Sequence, residues 1–173
     1  DLVYKLMLEE YANSGSRTHE FGVKAKQATE KARAQVADVA EADKTEVIFT
    51  SGATESNNIA ILGLESFGIK ENRKHIITTK IEHKAVLEPV AHLESKGFEV
   101  TYLNVGESGL IDIEELKSAL REDTLLVSIM HVNNETGSIQ PLSEICSALA
   151  DSEAYFHVDA AQSFAKLTGD LVN

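Results

Sequence analysis

HIITTKIEHKAVLEPVAHLESKGFEVTYLNV, residues 75–105, changes its periodicity twice. HIITT (His75 to Thr79) is a short β-branched run, which predicts a strand. KAVLEPVAHLESKG (Lys84 to Gly97) reads as a helix that closes at Gly97. FEVTYLNV (Phe98 to Val105) predicts a second strand. Strand, helix and strand in immediate succession predict a crossover between parallel neighbours.

The alternation continues downstream. GESGLI (Gly106 to Ile111) is a turn, and Asp112 caps the helix DIEELKSALRE, with Glu115 at the third helical position completing a capping box. TLLVSIMHV (Thr124 to Val132) is a fully apolar strand, NNETGSIQP (Asn133 to Pro141) a loop, LSEICSALA (Leu142 to Ala150) a helix, and AYFHVDAAQ (Ala154 to Gln162) the last strand. Upstream, DLVYKLMLEEY reads as an amphipathic helix already under way, assigned to residues 1–12, and NSGSR (Asn13 to Arg17) as a polar turn. A long helix is predicted from Thr18 to Ala42, with Lys24, Lys31 and Arg33 on its wet face and Ala25, Ala28, Ala32 and Val36 on its dry one. EVIFT (Glu46 to Thr50) reads as a strand, and NIAILGLESFG as a helix running to Gly68. The expected architecture is α/β and three-layered: a mostly parallel sheet with helices on both faces.

Composition narrows the function. The chain has 173 residues, 43% hydrophobic and 25% charged, which suits a globular domain with a substantial core. Sixteen Lys and Arg against 28 Asp and Glu leave a net charge of −12. Such a surface repels phosphate backbones, so no direct nucleic-acid partner is expected. No apolar run is long enough to span a bilayer, and no signal peptide is apparent, so no membrane association is expected. The single cysteine, Cys146, excludes an intrachain disulfide framework and fits a reducing compartment, hence a cytoplasmic location.

In parallel α/β sheets ligands sit beyond the carboxyl ends of the strands. That rule selects Ser51 to Thr54, Ile81 to His83, Asn133 to Glu135, and Asp159 to Gln162. TSGATESNN leads from a predicted strand into a helix, where free N–H groups beside hydroxyls form an anion site; it also reads as a plain capped turn. It is neither a P-loop nor a dinucleotide fingerprint. His83 could serve as a base, a ligand or a flat stacking surface, or could be merely solvated. Metal spacing is missing, since Glu82 is adjacent to it, so no zinc site is expected. HVNNETG places two amides after the most apolar strand, as a cleft contact or as an Asx turn. Asp159 closes an apolar strand, and a buried carboxylate requires a cation or donor. A protonated pyridine nitrogen would serve, as in pyridoxal phosphate sites; a helix N-cap is the alternative.

The four motifs in this order, FTSGATESNN, TKIEHKAV, SIMHVNNETG and HVDAAQS, together with SRTHEFG and GLIDIEELKSAL, resemble the cysteine desulfurases. These are the NifS/IscS-like group of class V aminotransferases, within the fold-type I pyridoxal phosphate enzymes. The resemblance implies that Ala53 and Thr54 hold the cofactor phosphate. It implies that His83 stacks on the pyridine ring and assists proton transfer, and that Asn134 contacts the ring oxygen or the substrate carboxylate. Asp159 would pair with the ring nitrogen, and Gln162 would hydrogen-bond the phenolic oxygen. The implied reaction takes sulfur from L-cysteine onto an enzyme thiolate as a persulfide, releases alanine and passes the sulfur to an acceptor protein. A homodimer is implied as well.

Family members run to about twice this length, so residues 13–173 are expected to be an incomplete cofactor-binding large domain. The lysine that carries the cofactor follows a Ser-x-His-Lys motif beyond Asn173, and neither Lys166 nor another lysine here takes that role. The persulfide-forming cysteine also lies further on, and Cys146 is expected to be a buried core residue. The opening Ala-Thr-Thr-Pro strand is missing too. Without the cofactor lysine and the persulfide-forming cysteine, the fragment alone is expected not to turn over cysteine. NSGSR stands where housekeeping members usually have Asn-Pro, a departure that resembles the branch serving DNA phosphorothioation. The alternatives are a sibling such as selenocysteine lyase and a non-catalytic α/β scaffold.

Overall fold

A computed structural model describes residues 2–16, 18–167 and 169. Two units divide the chain, residues 1–49 and residues 50–171.

In the first unit, α1 covers Leu2–Leu8 and α2 covers Glu20–Ala40. Between them, Asn13 folds the polar turn by accepting from the Gly15 amide through Oδ1, at 2.8 Å; Arg17 lies outside the described residues. His19 caps α2, its Nδ1 accepting from the Gly22 amide at 3.0 Å. A Cβ on Gly22 would come within 2.7 Å of the Ser16 carbonyl, so the chain enters the helix by a path open only to glycine. The drier stripe of α2 differs by one position from the predicted one. Ala25, Ala32 and Val36 are half-buried but Ala28 is exposed. Thr29 takes its place in the stripe, its hydroxyl satisfied by the Ala25 carbonyl at 3.0 Å.

EVIFT is not a strand. Lys44–Glu46 form a 3-10 turn, because Asp43 accepts from the Thr45 amide while the Glu46 carboxylate accepts from the Asp43 amide at 2.7 Å. Beyond it the Arg33 guanidinium donates to the Val47 carbonyl and lies 5.0 Å from the centre of the Phe49 ring. The run is β-branched, but its backbone is committed elsewhere and Ile48 stays 70% exposed. A strand needs a neighbour as well as a propensity.

The second unit is the layered one. Among its described residues, α3 (Ala53–Leu62), α4 (Glu65–Lys70), β1 (His75–Thr79), α5 (Lys84–Ser95), β2 (Glu99–Leu103), α6 (Ile113–Ala119), β3 (Thr124–Ser128), α7 (Leu142–Leu149) and β4 (Tyr155–His157) follow in order. All described strand pairs are parallel and the sheet order is β2-β1-β3-β4, so β1 and β3 are central and wholly buried.

Successive side chains of a strand face opposite ways, and Ile76 and Ile77 accordingly enter different cores. Ile76 joins Ile61 of α3 and Val86, Val90 and Leu93 of α5. Ile77 joins Leu116 of α6 and Leu142, Ile145 and Leu149 of α7. Between His75 and Ile76 the register with β3 shifts by one residue, which leaves Leu125 unpaired and brings both Leu125 and Leu126 to the α3/α5 side. His75 ties the three strands together, its ring nitrogens lying 2.8 Å from the Thr124 and Thr101 hydroxyls.

Three expectations about local structure change. The helix read as one piece to Gly68 is two, broken at Gly63, where a Cβ would collide with the Ile59 carbonyl. Gly68 lies inside α4 and permits a close approach, since a Cβ would come within 2.7 Å of the Arg73 carbonyl and of Leu125 Cδ2. Asp112 does cap α6, accepting from the Glu114 amide at 2.8 Å. Glu115 instead reaches Asn104, beyond β2, where it accepts from the side-chain amide at 3.0 Å. Cys146 is exposed rather than buried. The buried positions of α7 are Leu142, Ile145 and Leu149, and Cys146 stands a residue past Ile145, about 100° round the helix.

Candidate active site

Three of the four selected places follow a strand of the sheet, and the fourth, Ser51 to Thr54, opens α3. Gly52 is the N-cap of α3 and no side chain bonds the helix's first amides. Glu55 folds back instead, accepting from the Ser51 amide at 2.6 Å and the Ser51 hydroxyl at 2.7 Å. The first turn of α3 therefore keeps the unsatisfied N–H groups that every helix start carries, and the positive end of its dipole with them. These suit a phosphate.

His83 caps α5. Its Nδ1 accepts from the Ala85 amide at 3.1 Å, so a proton on a neutral ring sits at Nε2. The residue just before it is held from the other side of the site. Glu82 is 5% exposed, and its Oε1 accepts from the Met130 amide at 2.9 Å and the Thr79 hydroxyl at 3.0 Å, while Oε2 has no hydrogen-bond partner. Burial pushes this carboxyl up to about 7; the two hydrogen bonds oppose the shift and the charge of Asp159 adds to it.

The two adjacent amides after β3 divide their work. Asn133 is buried and builds the loop: its Oδ1 accepts from the Glu135 and Thr136 amides, both at 2.9 Å. Its Nδ2 donates to the Ile81 carbonyl at 2.9 Å, joining this loop to the one that carries His83. Asn134 is left exposed on the cavity wall.

β4 ends at His157, but its pairing with β3 runs on, through the His131 amide to the Asp159 carbonyl at 3.0 Å. Asp159 is 8% exposed. Its Oδ1 accepts from the Ala161 amide at 2.9 Å and its Oδ2 from the Asn57 side-chain amide at 2.8 Å. The donors a buried carboxylate demands are thus present; the bond from Ala161 closes a turn rather than capping a helix, since residues 161–166 are turn. His157, beside it, has its Nδ1 2.8 Å from the Ser128 hydroxyl, and burial lowers its pKa.

All six residues singled out in the sequence line one cavity of about 200 Å³: Ala53, Thr54, His83, Asn134, Asp159 and Gln162. Met130, Val132 and Ala161 complete its wall. A second depression of about 470 Å³ adjoins it, sharing Thr54 and His83 and adding Asn58, Lys84, Glu88 and His92. Neither Lys166 nor Cys146 lines either.

Sequence reading missed Asn57 and set Glu82 aside. The signal for Asn57 was its spacing: four residues after Ala53 on a helix is the same face, one turn further in. The donor set fits a pyridoxal phosphate. An open helix start would suit the phosphate, an acceptor-only carboxylate a protonated ring nitrogen, and side-chain amides a ring oxygen.

Comparisons with known proteins agree. The chain is 54% identical over 161 residues to the cysteine desulfurase IscS of Photobacterium profundum, covering 93% of this chain and 40% of that protein. The crystal structure of DndA from Streptomyces lividans superposes with a TM-score of 0.92 at 55% identity, over 99% of this chain and 48% of that one. SspA, solved in complex with cysteine, superposes with a TM-score of 0.88 at 42% identity, over 96% of this chain and 48% of that one. The chain thus spans less than half the length of these relatives. Its residues 2–173 match the sequence profile of the aminotransferase class-V family, to which it belongs.

Proposed function

We propose that this chain is the cofactor-binding part of a pyridoxal phosphate-dependent cysteine desulfurase. The observation that carries the reading is Asp159: a carboxylate enclosed in the wall of the cavity, held by two donors and sharing that cavity with the open start of α3. Bound there, pyridoxal phosphate supplies an electron sink for the substrate α-carbon.

The residues divide the remaining tasks. Ala53 and Thr54 hold the phosphate by backbone amides and a hydroxyl at the helix start. Asp159 keeps a proton on the ring nitrogen, the state in which the ring withdraws electrons best. Gln162 and Asn134 donate to the ring oxygen or the substrate carboxylate. His83 lies against the ring and moves a proton at Nε2, since Nδ1 is engaged by α5. The overall change is balanced: L-cysteine and an enzyme thiol give L-alanine and an enzyme persulfide. That thiol is not Cys146, which stands on α7 away from the cavity.

The relatives' names support the substrate: IscS is a cysteine desulfurase and SspA was solved with cysteine. A homodimer, a sulfur-acceptor protein and a cytoplasmic setting complete the proposal. Among the described residues no helix is long and apolar enough to cross a membrane. The NSGSR turn favours DNA phosphorothioation over iron–sulfur assembly as the sulfur's destination.

The test is sulfide release from L-cysteine by the intact protein loaded with pyridoxal phosphate, with a dithiol present to reduce the persulfide to sulfide and alanine measured alongside. Equal yields are expected; neither a visible cofactor band nor sulfide would refute the reading. Asp159→Ala should lower turnover by at least about tenfold to a hundredfold, the worth of one hydrogen bond to a charged group. Unchanged turnover would overturn the role of this carboxylate.

A further inference from the structure

Asn57 and Asp159 lie 102 residues apart in sequence and are joined by a 2.8 Å hydrogen bond. Both are enclosed, at 4% and 8% exposure. An ionised carboxylate only accepts, so the amide must turn its NH₂ toward it. Ala161 donates to the other carboxylate oxygen at 2.9 Å. Two donors, one from α3 and one from the turn directly after Asp159, engage one oxygen each and leave the carboxylate no free rotation. Asn57 also belongs to α3, the helix whose first turn presents Ala53 and Thr54 to the cavity.

We propose that Asn57 is a positioning residue of the cofactor site. Through its hydrogen bond it fixes the orientation of the Asp159 carboxylate toward the ring nitrogen. A single helix then holds the cofactor at both ends, by its first turn at the phosphate and through Asn57 and Asp159 at the ring. This rests on the cofactor reading above and adds a residue to it. The physical reason is economy of freedom: a buried acceptor held from one side only can swing away, and a weakly oriented carboxylate stabilises a pyridinium less.

The test uses the intact apoprotein and deoxypyridoxine phosphate, the analogue lacking the aldehyde, so that no covalent bond contributes. Asn57→Leu keeps the side chain's size and removes the donor. Its Kd for the analogue should rise about tenfold to a hundredfold, the range for a lost hydrogen bond to a charged group. The ring-nitrogen NMR shift of the isotopically labelled analogue should move toward the unprotonated form. Binding of inorganic phosphate, read by competition, should not change. If phosphate binding falls equally, Asn57 merely supports the helix and the proposal is overturned. Analogue affinity and ring shift equal to wild type overturn it too. Absence of analogue binding by wild type refutes the cofactor reading itself, and this inference with it. Where Asn57→Leu lacks the wild-type circular dichroism, Asn57→Asp is read instead. It donates only when one carboxyl of the pair is protonated, so its affinity should recover as pH falls. A pH profile superimposable on wild type overturns the proposal.

Discussion

Replacing Glu82 by Gln isolates the cost of a buried carboxylate one residue before His83. Glu82 is 5% exposed, and burial moves its pKa from the ordinary 4.5 to about 7. The folded protein therefore holds this proton more tightly than the unfolded chain does. Stability linked to Glu82 is fully present below pH 4.5, declines as pH rises toward 7, and is lost above 7, where both states are ionised. At roughly 1.4 kcal/mol per pH unit, the loss amounts to about 3 kcal/mol. Gln keeps the acceptor for the Met130 amide and the Thr79 hydroxyl and never ionises. It also buries an NH₂ where Oε2 has no partner, a constant cost of about 1–3 kcal/mol that shifts the whole curve without changing its shape. The measurement is urea denaturation of wild type and Glu82→Gln apoprotein at intervals from pH 4.5 to 8. The stability difference should grow in the variant's favour across that range and level off above pH 7. The titrating groups remote from Glu82 are shared and cancel. Parallel curves would refute the reasoning, because a carboxyl that ionises normally when folded cannot be shut away from water.

Three further outcomes are expected. Asn133→Ala removes the acceptor of two loop amides and the tie to Ile81, so stability should fall by about 2–4 kcal/mol, measured by urea denaturation. Gly68→Ala forces a Cβ to within 2.7 Å of the Arg73 carbonyl and Leu125, an overpacking that should cost about 1–3 kcal/mol in the same assay. Cys146 should react with a thiol reagent in the native protein, with no lag for unfolding, and Cys146→Ser should change stability by less than about 0.5 kcal/mol.

The layered fold was legible in the sequence because its signal is local. HIITT, FEVTYLNV and TLLVSIMHV differ in period from the helices between them, and that alternation is enough to imply parallel crossovers. The strand-end rule picked out the four stretches that meet at the cavity, although Ser51 to Thr54 follows no strand, and the resemblance to the desulfurases singled out the six residues within them. Strand EVIFT failed for the opposite reason. Its propensity was right, but whether a β-branched run becomes a strand depends on what its amides and carbonyls meet; Arg33 takes the Val47 carbonyl. Cys146 failed by one residue, a turn of about 100° that separates the dry face of α7 from its wet one.

The sequence alone determined the alternation of helices and strands from His75 onward, the sheet's parallel sense and the chemical types gathered at the strand ends. Each follows from patterns within a few residues of one another. Only the tertiary structure decided which partner each polar group keeps. Asn57 reaches Asp159 across 102 residues, and Met130 and Thr79 enclose Glu82 until its carboxyl titrates near neutrality. Hydrogen bonds and desolvation depend on distances that exist only once the chain has closed, and no local pattern records them.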